Sequence, residues 1–185
     1  MSYILSTVAL GGGRFQPTQL RLSHRLQARS FADMSPLQEL RFLILAAQRT
    51  GSRMLTGVLK PLGLTPAQIE VLQVLHEFGS ITLKDLGGLL ICESGSPSRL
   101  VAGLVDRGLI ARSSVEGDGR AIGLALTATG AALLAKAAAI EPELAKLIGG
   151  VLSAEEIAAM NAGLRKLVAG SPAGQAVERR KHKPD

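Results

Sequence analysis

Ser94, Gly95, Ser96, Ser98 and Arg99 place three hydroxyl groups, a guanidinium and a residue without a side chain within six positions, directly ahead of an apolar-periodic run that ends at Arg107. Drawn as a helix from about Ser94 to Arg107, this segment gathers Leu100, Val101 and Leu104, with Pro97, on one side and Val105 at its edge. Gly95, Ser98, Arg99, Ala102 and Asp106 lie opposite. A helix that enters the major groove of DNA needs small residues where its backbone approaches the base edges, and a few donors near its N-terminal end. Gly95, Ser98 and Ala102 meet the first need, and Ser96, Ser98 and Arg99 the second. Arg99 suits two roles: a bidentate grip on a guanine edge, worth ~1–3 kcal/mol of discrimination, or a hold on a phosphate. An ordinary amphipathic helix with a solvated outer face has the same pattern, so the flanking elements decide between them.

Downstream the hydrophobic period changes to two. Leu109–Ser114 and Ala121–Leu126 are β-prone runs separated by Val115–Arg120, where Gly117 and Gly119 around Asp118 supply the positive φ that a hairpin turn needs. Arg112, at the base of this hairpin, suits a phosphate contact or simple solvation. Arg107 is explained by the helix C-terminus that it follows, and Asp106, far along the helix, by local pairing.

Other chemistry finds little support. Catalysis needs a convergent nucleophile, base and orienter, or a metal. His24, His76 and His182 are scattered without metal-ligand spacing, His76-Glu77 lacks the second histidine of a zinc protease, and no glycine-rich phosphate loop is present. The chain is expected not to be an enzyme and to need no cofactor or metal. The single cysteine, Cys92, cannot form an internal disulfide, and no apolar run approaches the ~18–20 residues of a membrane span; both point to a soluble, cytoplasmic protein. Cys92 is expected to be a small apolar filler between two helices. The net charge of +6 is a property of the ends: residues 1–32 hold four arginines and no acid, residues 178–185 add a net +2, and the middle is balanced at 13 basic and 13 acidic side chains. A nucleic-acid reading must therefore rest on where individual charges sit.

The elements that would position these residues follow from periodicity and caps. Leu37, Leu40, Ile44, Ala47, Gly51, Met54, Leu55 and Val58 form a long helical stripe opening at Pro36 and stopped by Pro61 and Gly63. Thr65-Pro66 opens a helix burying Ile69, Leu72, Leu75 and Phe78, closed by Gly79. A short β-prone Ser80–Thr82 leads into a helix over Leu83–Leu90 capped by Thr82. After the hairpin, Thr127 caps an alanine-rich helix running to about Ile148 with a break near Pro142, and Ser153 with Glu156 makes a capping box for a last helix to about Val168. Residues 1–35 read as a flexible arm, an early helix around Thr18–Ala28, or sequence upstream of a start at Met34, with a composition that also resembles a transit peptide. Residues 36–170 form the folded domain, and residues 171–185 a basic disordered tail. The fold class is mainly α with a small β-hairpin wing: a winged helix-turn-helix over about residues 64–127, with N- and C-terminal dimerisation helices whose apolar surface needs a second copy.

The stretches Leu62–Leu72, Arg99–Ile110, Asp118–Arg120 and Leu126–Gly130 resemble the MarR family of bacterial regulators, and the resemblance spans about Leu37 to Leu167. It rests on the combination of an Arg-Gly-Leu-Ile helix exit, an Asp-x-Arg wing and a Leu-Thr-x-x-Gly restart. It implies a homodimeric, sequence-specific transcription regulator on double-stranded DNA with a pseudo-palindromic operator, a repressor relieved by a small ligand. The alternative is a winged helix that serves only protein interactions. By position, Ser96, Ser98 and Arg99 would face the major groove and Arg120 the minor groove, whose narrow form attracts a guanidinium; Ser94, Gly95 and Arg112 are further DNA-contact candidates from the residues themselves. Asp118 would orient Arg120 or pair with Arg112, or serve only as a turn former. Many members have two adjacent arginines where this chain has Gly119-Arg120, which removes one backbone-gripping charge. The resemblance also implies a small aromatic or anionic ligand between the dimerisation helices and the DNA-binding lobe. Arg41, Arg49 and Arg53 are candidates for its carboxylate, with a solvated face as the plainer explanation. Urate recognition through tryptophan and peroxide sensing through an early cysteine find no matching residue here.

Overall fold

The computed structural model of the chain describes residues 34–92, 96–115, 118–139 and 149–182, with 142 and 145 between them. Nearly all of the expected N-terminal arm, the expected hairpin apex at residues 116–117, and most of the expected continuation to Ile148 lie outside the described residues. The chain divides into two units, residues 1–46 and 47–185, with the boundary inside the first helix.

That helix, α1 (Pro36–Leu59), opens on a reciprocal cap in the first unit: Ser35 Oγ accepts from the Gln38 N–H at 3.3 Å and Gln38 Oε1 from the Ser35 N–H at 3.1 Å. In the second unit it ends in a 3-10 turn (Lys60–Leu62) and Gly63 at φ +63°, a left-handed conformation that glycine adopts without strain. Thr65 and Gln68 then cap α2 (Pro66–Phe78) reciprocally, an arrangement that also fixes the proline at its first position.

α2 is the centre of the core. Ile69, Val71, Leu72, Val74 and Leu75 are all buried, more of its circumference than a single stripe provides. The reason is topological: the elements Leu83–Gly87, Pro97–Asp106, Asp118–Leu126 and Ala128–Ala138 all pack on it. β1 (Ile81–Thr82) leads directly into α3 (Leu83–Gly87), where Thr82 Oγ accepts from the Asp85 N–H and its hydroxyl donates to the Asp85 carboxylate at 2.6 Å. α3 is shorter than the expected Leu83–Leu90. α4 (Pro97–Asp106) follows, then β2 (Ile110–Val115) and β3 (Asp118–Leu126). The sheet order is β1-β3-β2, all antiparallel, with Ile81 opposite Leu124 and Ile110 opposite Leu126; the register shifts at Ser114/Val115.

Two of the motifs read from sequence meet physically at the foot of the wing. The Thr127 hydroxyl donates to the carbonyls of Gly108 and Leu109 at 2.8 and 3.1 Å, while its oxygen accepts from the Gly130 N–H at 3.0 Å and caps α5 (Ala128–Ala138). Gly130 sits against the Leu109 carbonyl and Leu126, where a Cβ has no room. The Arg-Gly-Leu-Ile exit and the Leu-Thr-x-x-Gly restart are thus two sides of one junction between α4, the wing and α5.

Beyond α5, Ser153 and Glu156 form the expected capping box of α6 (Ala154–Val168). The expected disordered tail is instead a helix, α7 (Pro172–Lys181). Ser171 caps it through the Gly174 N–H, Pro172 takes its first position, and three basic residues face the negative end of its dipole. Buried Gly174 against the Val168 carbonyl, buried Ala176, and an ion pair from Arg180 hold it in place, which composition alone does not reveal.

Candidate nucleic-acid interface

α4 starts at Pro97, three residues later than sequence periodicity suggests. Proline fixes its own φ and disfavours a helical residue before it, so Ser96 is extended (φ −86°, ψ 117°) and becomes the cap position. The Ser96 carbonyl accepts from the N–H groups of Arg99 and Leu100 at 3.1 and 3.2 Å, but its hydroxyl makes no cap hydrogen bond. Ser94 and Gly95 lie outside the described residues. Val101 and Leu104 are buried at 2% and 0% exposure and anchor the inner face against α2 and α3. Ser96, Ser98 and Arg99 are exposed together at the N-terminal end. Arg99 makes no ion pair among the described residues.

The C-terminal end of α4 is tethered rather than merely compensated. The Arg107 guanidinium donates from Nη1 to the Gly63 carbonyl at 2.9 Å, linking α4 to the turn after α1. Gly108, at φ +67°, turns the chain into the wing. Arg112 is exposed on β2. Asp118 and Arg120 belong to the start of β3, not to the connection before it, and Asp118 pairs with Val115 across the ladder. Their side chains lie outside what is described.

A second constellation, not anticipated from sequence, lies behind α4. Glu70 of α2 is 5% exposed, and its two carboxylate oxygens accept from the successive backbone N–H groups of Ile91 and Cys92, each at 2.8 Å. Arg180 of α7 donates to the same carboxylate at 3.1 Å and reaches Glu77, one heptad along α2, at 3.4 Å. Glu70 and Arg180, with Gln73 and Cys92, form the polar side of a cavity of about 320 Å³ whose apolar walls include Leu55, Leu59 and Ile69. Arg49 and Arg53 are exposed and do not line it. Arg41 lies over the Phe42 ring at 4.7 Å. One signal was available in the sequence: an acidic residue between Ile69 and Val71 on a helix otherwise buried there.

Cys92 is exposed, which corrects its expected role as a buried filler. The helix before it ends earlier than expected, leaving the residue in the connection to α4. Its thiol is pushed up to about 11 by partial burial, by the Glu70 charge and by a hydrogen bond to the Glu70 carboxylate, with Arg180 opposing. Nucleophilic attack requires the thiolate. At pH 8 alkylation of Cys92 by iodoacetamide is therefore expected to run about a hundredfold slower than for an unperturbed thiol, rising with pH until near 11. Reaction at the rate of a free cysteine would contradict this environment.

A buried α2 with α3 and α4 packed on it, followed by a two-stranded wing whose β3 pairs with β1, defines a winged helix-turn-helix with α4 in the recognition position. The MarR family model matches residues 64–122, which covers this motif from the start of α2 into β3. The organic hydroperoxide resistance transcriptional regulator of Bacillus subtilis (strain 168) is 32% identical over 107 residues, 58% of this chain and 73% of that protein. The chain belongs to the MarR family, whose members are DNA-binding transcription regulators. Among solved structures, a mutant MarR from E. coli complexed with operator DNA superimposes with a TM-score of 0.66 at 28% identity, covering 71% of this chain and 95% of that one. The organohalide-sensing RdhR transcriptional regulator in its 2,4-dichlorophenol-bound form gives 0.68 at 21% identity, covering 82% and 90%, and shows the shared fold. No helix among the described residues is long and apolar enough to cross a membrane.

Proposed function

We propose that this regulator binds a pseudo-palindromic double-stranded operator as a homodimer, with α4 in the major groove and the β2–β3 wing at the minor groove, and represses there until a small aromatic or anionic ligand releases it. The observation that carries this reading is the exposed Ser96, Ser98 and Arg99 cluster on a helix whose opposite face is locked into the core. Donors on a rigid helix are what direct readout of base edges requires. Arg112 then serves a phosphate, and Arg120, with Asp118 beside it in the strand, the minor groove. The regulator acts by binding and needs no catalytic step.

Dimerisation is supported by apolar surface left uncovered within one chain. In α1, Leu37, Leu40 and Leu43 are 75%, 42% and 58% exposed; on α6, Met160, Leu164 and Leu167 are 51%, 39% and 58% exposed. Exposed apolar surface of this kind marks interaction sites, and a second copy covers it by two-fold symmetry. For the ligand, the cavity beside Arg180 has the size and lining of a small-molecule site. The dichlorophenol held by the RdhR regulator is a small aromatic of matching character.

The test is titration of the full chain against the duplex upstream of its own gene at several salt concentrations. Arg112→Ala and Arg120→Ala are each expected to weaken binding across sequences and to lower the slope of log K against log salt by about 1. Unchanged slopes in both variants would remove the wing from the interface.

A further inference from the structure

We infer that α7 is part of the DNA-reading apparatus: Arg180 fixes Glu70, and Glu70 holds the two backbone N–H groups that lead into the recognition helix. This rests on the proposed role of α4 and adds Glu70 and Arg180 as its positioning residues. A single carboxylate bridges three elements. It stands on α2, the most buried helix among the described residues; it receives Ile91 and Cys92 at 2.8 Å each; and it is neutralised by a guanidinium from α7 at 3.1 Å. Three residues separate Cys92 from Ser96, so fixing the one restrains where α4 begins to within a short tether.

The chemistry is directional. The two N–H donors use one carboxylate oxygen each, so a carboxylate at position 70 serves both, whereas an amide offers a single oxygen and turns an NH2 donor towards the other N–H; charge-assisted bonds to a carboxylate are also the stronger kind. A carboxylate this buried also needs a cation beside it. Arg180 supplies it and is itself held by Glu77, which spreads the guanidinium across one face of α2. The neighbouring Arg179 comes close to Gly88, at the end of α3, where a Cβ would lie 3.2 Å from its Nη1. With Glu178 and His182 it borders a further cavity shared with Phe78 and Leu89. α7 therefore lies over α2 and α3 as well as over the connection into α4. Displacing it leaves Glu70 without its cation and loosens both backbone donors.

The experiment uses the full chain and duplexes selected by the wild type from a random-sequence pool. In the free wild-type protein the Ile91 and Cys92 amides are expected to exchange with deuterium slowly, despite their exposed positions. Arg180→Gln and Glu70→Gln should speed that exchange at least about tenfold while the Leu72 amide, in the core of α2, stays protected, and should weaken binding of the selected duplex at least about tenfold. Arg180→Lys, which keeps the charge without the fork, should fall between. Cys92 alkylation gives an independent signature: faster in Glu70→Gln and slower in Arg180→Gln, because the two groups push the thiol in opposite directions. Fast exchange of both amides in the wild type overturns the inference whatever the variants do. So does wild-type affinity in folded Arg180→Gln, or, where that variant does not fold, in Arg180→Lys with accelerated exchange. If the wild type selects no duplex, the DNA reading falls, while exchange and alkylation still decide whether the latch exists.

Discussion

Gly130→Ala is expected to destabilise the protein by about 3 kcal/mol, the upper part of the range for forcing an atom into a filled site. For a chain of this size that corresponds to a fall in Tm of roughly 6–12 °C by calorimetry or thermal circular dichroism. The added Cβ would strike the Leu109 carbonyl oxygen and Leu126, and the first of these is backbone that cannot turn aside. That carbonyl also accepts from the Thr127 hydroxyl and N–H, so relief by moving it would disturb the cap of α5 and the start of β2 together. Gly57→Ala is the control: its Cβ meets nothing within 4 Å, and an alanine inside a helix should stabilise by about 0.5–1 kcal/mol. A Gly130→Ala protein as stable as the wild type would mean that this junction is looser than the geometry describes.

Arg99→Ala is expected to leave the fold intact and to damage sequence preference. The side chain is exposed, so its loss costs little stability. If it pairs with a guanine edge, discrimination at one base pair of each half-site should fall by ~1–3 kcal/mol, roughly 5- to 150-fold. Arg120→Ala should weaken binding to all sequences with only partial loss of preference. Titrating both variants against an operator and its single-base substitutions, at fixed salt, separates the two behaviours. A loss in Arg99→Ala that is uniform over sequences assigns that residue to a phosphate, and negligible effects from both remove this assignment of the interface.

Local chemistry made most of the fold legible. Thr65-Pro66, Thr82, Thr127 and Ser153 each cap the helix expected of them, because a cap depends on residues three positions apart. The same locality explains where the reading slipped. Pro97 delays α4, since the residue before a proline resists a helical conformation and periodicity does not weigh that. Asp118 between two glycines reads as a turn former or as a partner for Arg120 or Arg112, and pairing across the ladder draws its backbone into β3. Ser171-Pro172 is a legible start for α7, but a basic, weakly apolar segment takes its order from distant partners, which local pattern does not show. Glu70 and Arg180 are 110 residues apart, and no spacing rule connects them. Cys92 differs from its expected role for a related reason: its surroundings are set by Glu70, 22 residues away, and by the early end of α3.

The central claim is that two chains together present a pair of α4 helices to one duplex. Footprinting of the full-length chain on its own upstream DNA, with the stoichiometry of the complex measured on the same fragment, tests it most directly. Two protected half-sites with centres about 10 bp apart, one helical turn, and two chains per site are the predicted result. Protection of one isolated half-site by a single chain, or no protection even at low ionic strength, would contradict it.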